Sequence, residues 1–146
     1  MYKIIPTEYD RIDDIYAIEV ECFADPWSVS ALMYEVCEEN SVCLMAVNEN
    51  DDVVGHVSMR HIINEGHINN IAVTAVRRKN GVGSLLLEAL LQEAVKREMI
   101  GLTLEVRASN EPAIKLYEKF GFIPEGCRKN YYFNPTEDAI IMWKRI

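Results

Sequence analysis

The chain has 146 residues, 15 Lys and Arg against 23 Asp and Glu for a formal charge of −8, with 49% apolar and 26% charged residues. That is the profile of one globular domain spanning 1–146, able to bury roughly 68–70% of its unfolded surface without disulfide or metal staples. Collagen-like, disordered and knottin-like classes are excluded. The acidic total also argues against a general nucleic-acid binder, which needs many Lys and Arg contacts with phosphates.

The charge is uneven. Residues 1–55 hold thirteen acids and two bases, whereas residues 56–146 hold ten acids and thirteen bases, so the two halves are expected to face different partners, the acidic one a cationic partner. Cys22, Cys37, Cys43 and Cys127 match neither a CxxC pair nor a zinc spacing and are expected to be reduced, buried thiols. No basic leader with an apolar core and no run of eighteen apolar residues occurs, which places the expected protein in the cytoplasm, off the membrane.

Tyr2 to Ile5 reads as a short strand stopped by Pro6, with Thr7 capping an amphipathic helix that carries Ile12, Ile15, Tyr16, Ile18 and Phe23. Asp25-Pro26 breaks that helix and Ser28 starts a second with Leu32, Met33 and Val36; the acids of both helices are expected on their outer faces. A hairpin follows, Ser41 to Val47 and Val53 to about Ile63, joined by Asn48 to Asp52. His67 to Val73 is the next strand. Arg77 to Gly83 then opens a helix carrying Leu85, Leu86, Ala89, Leu90 and Val95, which ends before Gly101. Leu102, Leu104 and Val106 alternate with Thr103, Glu105 and Arg107 in a strand. Asn110 and Pro112 start a helix that Gly121 ends, and strands at about Phe122 to Arg128 and Ala139 to Lys144 flank the aromatic segment Tyr131 to Pro135. The order β α α β β β α β α β β implies an α/β (α+β) domain: a mixed, mostly antiparallel sheet of about seven strands flanked by about four helices.

Three features carry chemistry. Arg78-Lys79-Asn80-Gly81-Val82-Gly83 lies between a strand and a helix, where glycines let backbone N–H groups approach a phosphate and the helix dipole adds positive potential; a tight turn with solvated basic residues is the other reading. It is neither a Walker loop nor GxGxxG. Glu105, mid-strand, is either a solvated side chain or, if covered, a carboxylate suited to accepting a proton. Tyr117 is either a core tyrosine or a proton donor. His56, His61 and His67 are scattered without a carboxylate or cysteine at ligand spacing, so no metal site is expected. Trp27 and the aromatics Tyr131, Tyr132 and Phe133 are either core or the lining of a peptide-sized groove.

Ile71-Ala72-Val73, Arg78 to Gly83 and Asn110 to Gly121 (NEPAIKLYEKFG) resemble, in order and spacing, the three acetyl-CoA motifs of the GCN5-related N-acetyltransferases (GNAT), and the likeness extends over essentially the whole chain. Within that family, Phe23 to Ser28, Leu104 to Asn110, Arg128 to Tyr132 and Glu137 to Met142 are most similar to the ribosomal-protein-alanine N-acetyltransferases. The resemblance implies a GNAT fold, acetyl-CoA as cosubstrate without a metal, and transfer to an N-terminal α-amine by direct attack in a ternary complex. The implied acceptor is the N-terminal alanine of ribosomal small-subunit protein eighteen. A small amine such as a polyamine, broader N-terminal or lysine acetylation, and a non-catalytic acetyl-CoA-binding module are the alternatives.

The resemblance also implies residue roles. Ile71, Ala72 and Val73 would present backbone groups to the acetyl thioester and pantetheine, and Arg78, Lys79, Asn80, Gly81, Val82, Gly83 and Ser84 would hold the pyrophosphate. Asn110 and Tyr117 would contact the cofactor arm. Glu105 would be the general base, directly or through a water, and Tyr117 the general acid; Trp27, Glu105, Tyr131 and Tyr132 would meet the acceptor. Two departures stand out: Lys79-Asn80 replaces the family's usual pair, and the lip Phe133 to Thr136 is shorter than in some relatives. The expected partner is the basic N-terminal segment of a ribosomal protein, with no direct nucleic-acid or membrane contact and a monomeric or weakly dimeric enzyme.

Overall fold

Alternating apolar residues build the strands and periodic ones the helices. The computed structural model describes residues 1–78 and 80–146. Seven strands, β1 (Lys3–Pro6), β2 (Ser41–Val47), β3 (Val53–Ile62), β4 (Glu65–Val73), β5 (Gly101–Arg107), β6 (Ile123–Tyr132) and β7 (Glu137–Arg145), form one sheet in the order β1-β2-β3-β4-β5-β7-β6. All neighbours are antiparallel except β4 and β5. Two layers of helix cover it. Met45 and Val47 pack against α1 (Ile12–Cys22) and α2 (Val29–Cys37), while Ala46 and Val57 point into the other core with α3 (Val82–Lys96) and Tyr117 of α4 (Glu111–Lys119). Each fully buried Leu of that core, Leu86 and Leu90 among them, contributes about 1.5–3 kcal/mol from leaving water.

Local signals account for the boundaries. Ser28 Oγ accepts the Ala31 N–H at 3.1 Å and Asn110 Oδ1 accepts the Ala113 N–H at 3.3 Å, both side-chain caps. Asn48 Oδ1 accepts the N–H groups of Asn50 and Asp52, which closes the β2–β3 hairpin. Leu102, Leu104 and Val106 are at most 5% exposed, as their alternation requires.

Several expectations are corrected. Thr7 caps nothing: Pro6 pairs with Leu44 and the Thr7 N–H continues that ladder to the Cys43 carbonyl, so α1 begins only at Ile12 after a 3-10 turn. The aromatics Tyr131 and Tyr132 belong to β6 and not to the connection beyond it. α3 buries Val82, Leu86, Leu87, Leu90 and Ala94, while Leu85 and Val95 are exposed, because the helix docks along its i, i+4 ridge. Not all the acids of α1 and α2 face outward, since Glu19 is 0% and Glu35 4% exposed; Glu35 is held by Arg60 and by the Ser41 hydroxyl. None of the four free cysteines is fully buried, and Cys37 and Cys127 are exposed. Among the described residues no helix is long and apolar enough to cross a membrane.

Candidate functional site

The site forms where two parallel strands part. β4 and β5 pair from Glu65↔Gly101 to Ile68↔Leu104 and then separate. On its other side β4 carries a bulge: Met59 faces Ile68 and Ser58 faces Asn70, which leaves Asn69 as the extra residue and bends the strand away. The gap is a cleft of about 350 Å³ whose lining includes Trp27, His67, Ile71, Glu105, Tyr117 and Tyr132.

One edge of the cleft is backbone. The Thr74 N–H donates to Val54 across the β3–β4 ladder at 2.9 Å, so Val73 before it turns its N–H and C=O to the opposite edge, where β5 has gone. The Val73 carbonyl there accepts from Arg78 Nε at 3.1 Å and from the Cys22 thiol at 3.4 Å. Glu21 receives the Thr74 hydroxyl and the Ala75 N–H, bonds that hold its carboxyl below the ordinary value.

Beyond this edge stands the N-terminus of α3. Gly81 occupies the left-handed region at φ 81°, which glycine adopts without a Cβ penalty, and the first turn of α3 contains no acid. The N–H groups of Val82, Gly83 and Ser84 lack helical acceptors there and point out along the axis, as in anion-binding helix starts. Val82 buries its side chain in the core, so only its backbone is available. Ala72 likewise buries its methyl, Asn80 is exposed, and Lys79 lies outside the described residues.

The other edge holds titratable groups. Glu105, its side chain 10% exposed, takes the His67 Nε2–H on Oε1 at 2.8 Å and has Arg128 Nε at 3.7 Å from Oε2. His67 Nδ1 in turn lies 3.2 Å from Asn69 Oδ1. Tyr117, 5% exposed, sits edge-on to Phe122 and lines the same cleft. Burial pushes its phenol well above the ordinary value of 10, with Tyr132 adding to the shift. Burial likewise raises Tyr132 to about 12, helped by Tyr131 and Glu105, and both burial and Glu105 raise Tyr131. A carboxyl side chain and a phenol that keeps its proton through the neutral range thus line one space.

Two lips close the cleft. Residues 23–28 form one; the β6–β7 connection forms the other, and Asn134 Nδ2 donates to Asp25 Oδ1 between them at 3.1 Å. Arg107 shapes the second lip: Nη2 donates to the Phe133 carbonyl at 2.6 Å, Nη1 to that of Pro135 at 2.9 Å, and the guanidinium lies 4.6 Å over the Tyr132 ring.

Seven of the residues singled out from sequence, Trp27, Ile71, Glu105, Asn110, Tyr117, Tyr131 and Tyr132, thus line one cleft, with the Val73 edge and the α3 N-terminus beside it. His67, Asn69 and Arg107 line it as well, and Arg128 lies beside Glu105 at 3.7 Å. In the sequence His67 is one of three scattered histidines, and only the parallel register, which places it opposite Thr103 and so beside Glu105, singles it out. Among the described residues no group of three or more His, Cys, Asp or Glu side chains is arranged to hold a metal ion.

A sequence profile of the acetyltransferase (GNAT) family matches residues 12–122. The chain is similar to the ribosomal protein bS18-alanine N-acetyltransferase of Escherichia coli (strain K12), 38% identical over 146 residues that cover 97% of this chain and 96% of that one. It is similar also to the enzyme of the same name from Haemophilus influenzae, 33% identical over 143 residues that cover 96% and 94%. The crystal structure of the ribosomal-protein-S18-alanine N-acetyltransferase from Escherichia coli matches the whole fold with a TM-score of 0.92, 35% identity, and coverage of 100% of this chain and 94% of that one.

Proposed function

The chain belongs to the acetyltransferase (GNAT) family, and from that premise we propose that it acetylates the N-terminal alanine of ribosomal protein bS18. It is an acetyl-CoA-dependent protein N-α-acetyltransferase. The observation that carries our assignment of the chemistry is that Glu105 and Tyr117, a carboxyl group and a phenol kept protonated by burial, line a single cleft beside the parted β4 edge. With a ribosomal protein as acceptor, the reaction is proposed to occur in the cytoplasm.

The residues present fit acetyl-CoA. An outward-facing backbone edge at Ile71 to Val73 suits its amide-bearing arm, and an acid-free helix start at Val82 to Ser84, with Arg78, Lys79, Asn80 and Gly81 before it, suits a pyrophosphate. Asn110, which lines the cleft, would border the same arm. When bound, acetyl-CoA supplies an activated acetyl thioester. An N-terminal amine, with a pKa of about 7.7–8.0, is mostly protonated at neutral pH. Glu105 takes that proton, directly or through a water, while His67 fixes the carboxylate's orientation from its Oε1 side. The outward N–H of Val73 lies where it can stabilise negative charge on the carbonyl oxygen, and such donors are worth roughly 2.7–4 kcal/mol. Tyr117 holds a proton for the departing sulfur. Trp27, Tyr131 and Tyr132 wall the space for the first acceptor residues.

The experiment is a competition at equal concentration between a basic peptide beginning with alanine, the same peptide with a blocked α-amine but free lysines, and spermidine. Release of CoA is followed in each, and the acetylated position is read by mass spectrometry. Modification of the alanine α-amine alone is expected. Faster turnover of the blocked peptide or of spermidine would overturn the assignment, and cofactor binding without release from any of the three would favour a non-catalytic module.

A further inference from the structure

One ionisable side chain near the cleft has no part in this chemistry. Glu19, on α1, is 0% exposed and lies behind the cleft lining. Its Oε1 accepts the Trp27 backbone N–H at 3.0 Å, its Oε2 accepts from His56 Nε2 of β3 at 2.9 Å, and Asn70 Nδ2 of β4 lies at 3.1 and 3.0 Å from the two oxygens. His56 is itself 3% exposed. A carboxylate taken out of water persists only with its lone pairs engaged, and an apolar side chain of the same size is often no less stable in such a place. What the carboxylate supplies is geometry: donors from a loop and from two strands meet on two oxygens.

We propose that Glu19 is a positioning residue for the acceptor, holding the 23–28 lip at a fixed distance from β4 at the point where β4 leaves β5. This rests on the acetyl-transfer reading above. Asn70 is the residue just after the bulge, two positions beyond the last β4–β5 pair, and Trp27 follows Pro26 in the lip. One side chain therefore sets the spacing between them. The backbone edge at 71–73 does not depend on it, because Ile71, Ala72 and Val73 are registered against Val57, His56 and Gly55, and Glu21 separately grips Thr74 and Ala75. The lip's only other tie across the cleft among the described residues is Asp25 to Asn134. Loss of Glu19 should therefore loosen the acceptor wall and spare the acetyl-CoA side.

The test compares three variants in the full-length enzyme. Glu19→Gln keeps an oxygen for the Trp27 and Asn70 N–H groups and can donate to His56 in its other tautomer, so its constants should stay within about threefold of wild type. Glu19→Asp is one methylene too short to reach both lip and strand, and Glu19→Leu has no acceptor. Both should raise KM for the alanine peptide by about tenfold or more, with kcat and the acetyl-CoA KM changed less than about threefold. A second readout needs no turnover: with Trp143→Phe leaving Trp27 as the sole tryptophan, acrylamide should quench Trp27 more strongly in Glu19→Asp than in Glu19→Gln. An unchanged peptide KM together with unchanged quenching in Glu19→Asp, or an equal rise in both KM values, overturns the proposal. Failure of wild type to acetylate the peptide overturns the acceptor assignment instead, and the quenching comparison still decides the role of Glu19.

Discussion

Replacing Glu105 by Gln preserves shape and a hydrogen-bonding oxygen toward His67 while removing the ability to take a proton. The fold should tolerate it: the lost attraction to Arg128 is long at 3.7 Å and involves a side chain 55% exposed, the kind of ion pair worth about 0–1 kcal/mol. The rate should not. A positioned general base is worth roughly 10²–10⁴-fold, so kcat/KM for the alanine peptide at pH 7 should fall by about 10² or more. The pH dependence separates this from a general defect. With an amine pKa of about 7.7–8.0, about 9–17% is free at pH 7 and about 91–95% at pH 9. A variant that must wait for free amine therefore regains about five- to tenfold over that interval, whereas the wild type, which takes the proton itself, gains less. Steady-state CoA release measured from pH 6.5 to 9, with thermal melting as a control, reads both. A loss below about threefold at pH 7, or a loss that stays constant to pH 9 in a variant that melts like wild type, would refute Glu105 as the base.

Tyr117→Phe keeps the edge contact with Phe122 and should lower kcat by about 10²; because burial raises the wild-type phenol, no alkaline limb from Tyr117 should appear in the wild-type rate profile up to pH 9.5. Arg107→Lys replaces a planar fork with a single ammonium and gives up at least one of the bonds to the Phe133 and Pro135 carbonyls, so the peptide KM should rise about tenfold while that for acetyl-CoA holds. Glu137 accepts the Ser109 N–H at 2.6 Å, which together with Arg107 keeps its carboxyl below the ordinary 4.5. A depressed folded value means a stabilising contribution present above about pH 4.5 and lost as the pH falls through the folded value. The urea midpoints of wild type and Glu137→Gln should accordingly differ by a constant amount from pH 8 to 5.5 and draw together as the solution is made more acidic than about pH 4.5; a gap that is the same at every pH would contradict the assignment.

What could be read ahead of the structure is what a short stretch of chain encodes. The caps at Ser28 and Asn110 act within three residues, and the alternation of Leu102, Leu104 and Val106 is complete within one strand. The motifs at Ile71 to Val73 and Arg78 to Gly83 sit at a strand end and a helix start, where backbone groups carry the chemistry. What escaped depends on neighbours far along the chain. Glu19 has the pattern of a solvated helix acid, yet its partners are 8, 37 and 51 positions away. His67 and Glu105 are 38 apart, and nothing local says that their strands lie side by side and run the same way. The buried face of α3 is not legible locally, because Leu85 and Val95 are as apolar as Leu87 and Ala94 and only the direction of docking chooses between them.

The strand order has a bearing on when this enzyme comes to exist. β7 follows β5 and β6 in the chain yet lies between them, so β6 has no sheet partner and the Glu105 strand has a bare flank until β7 is made. Ala139 must reach Arg107 and Ile141 must reach Glu105 before the acceptor side can close, whereas β1 to β4 can pair as successive hairpins long before. The contacts that complete the cleft are thus among the latest available to a growing chain and, by sequence separation, among the slower to form. A chain of this order has no acceptor groove until β7 has emerged and paired with β5 and β6, and a chain cut short before Glu137 should keep the backbone edge of β4 but lose the wall against which an acceptor is held.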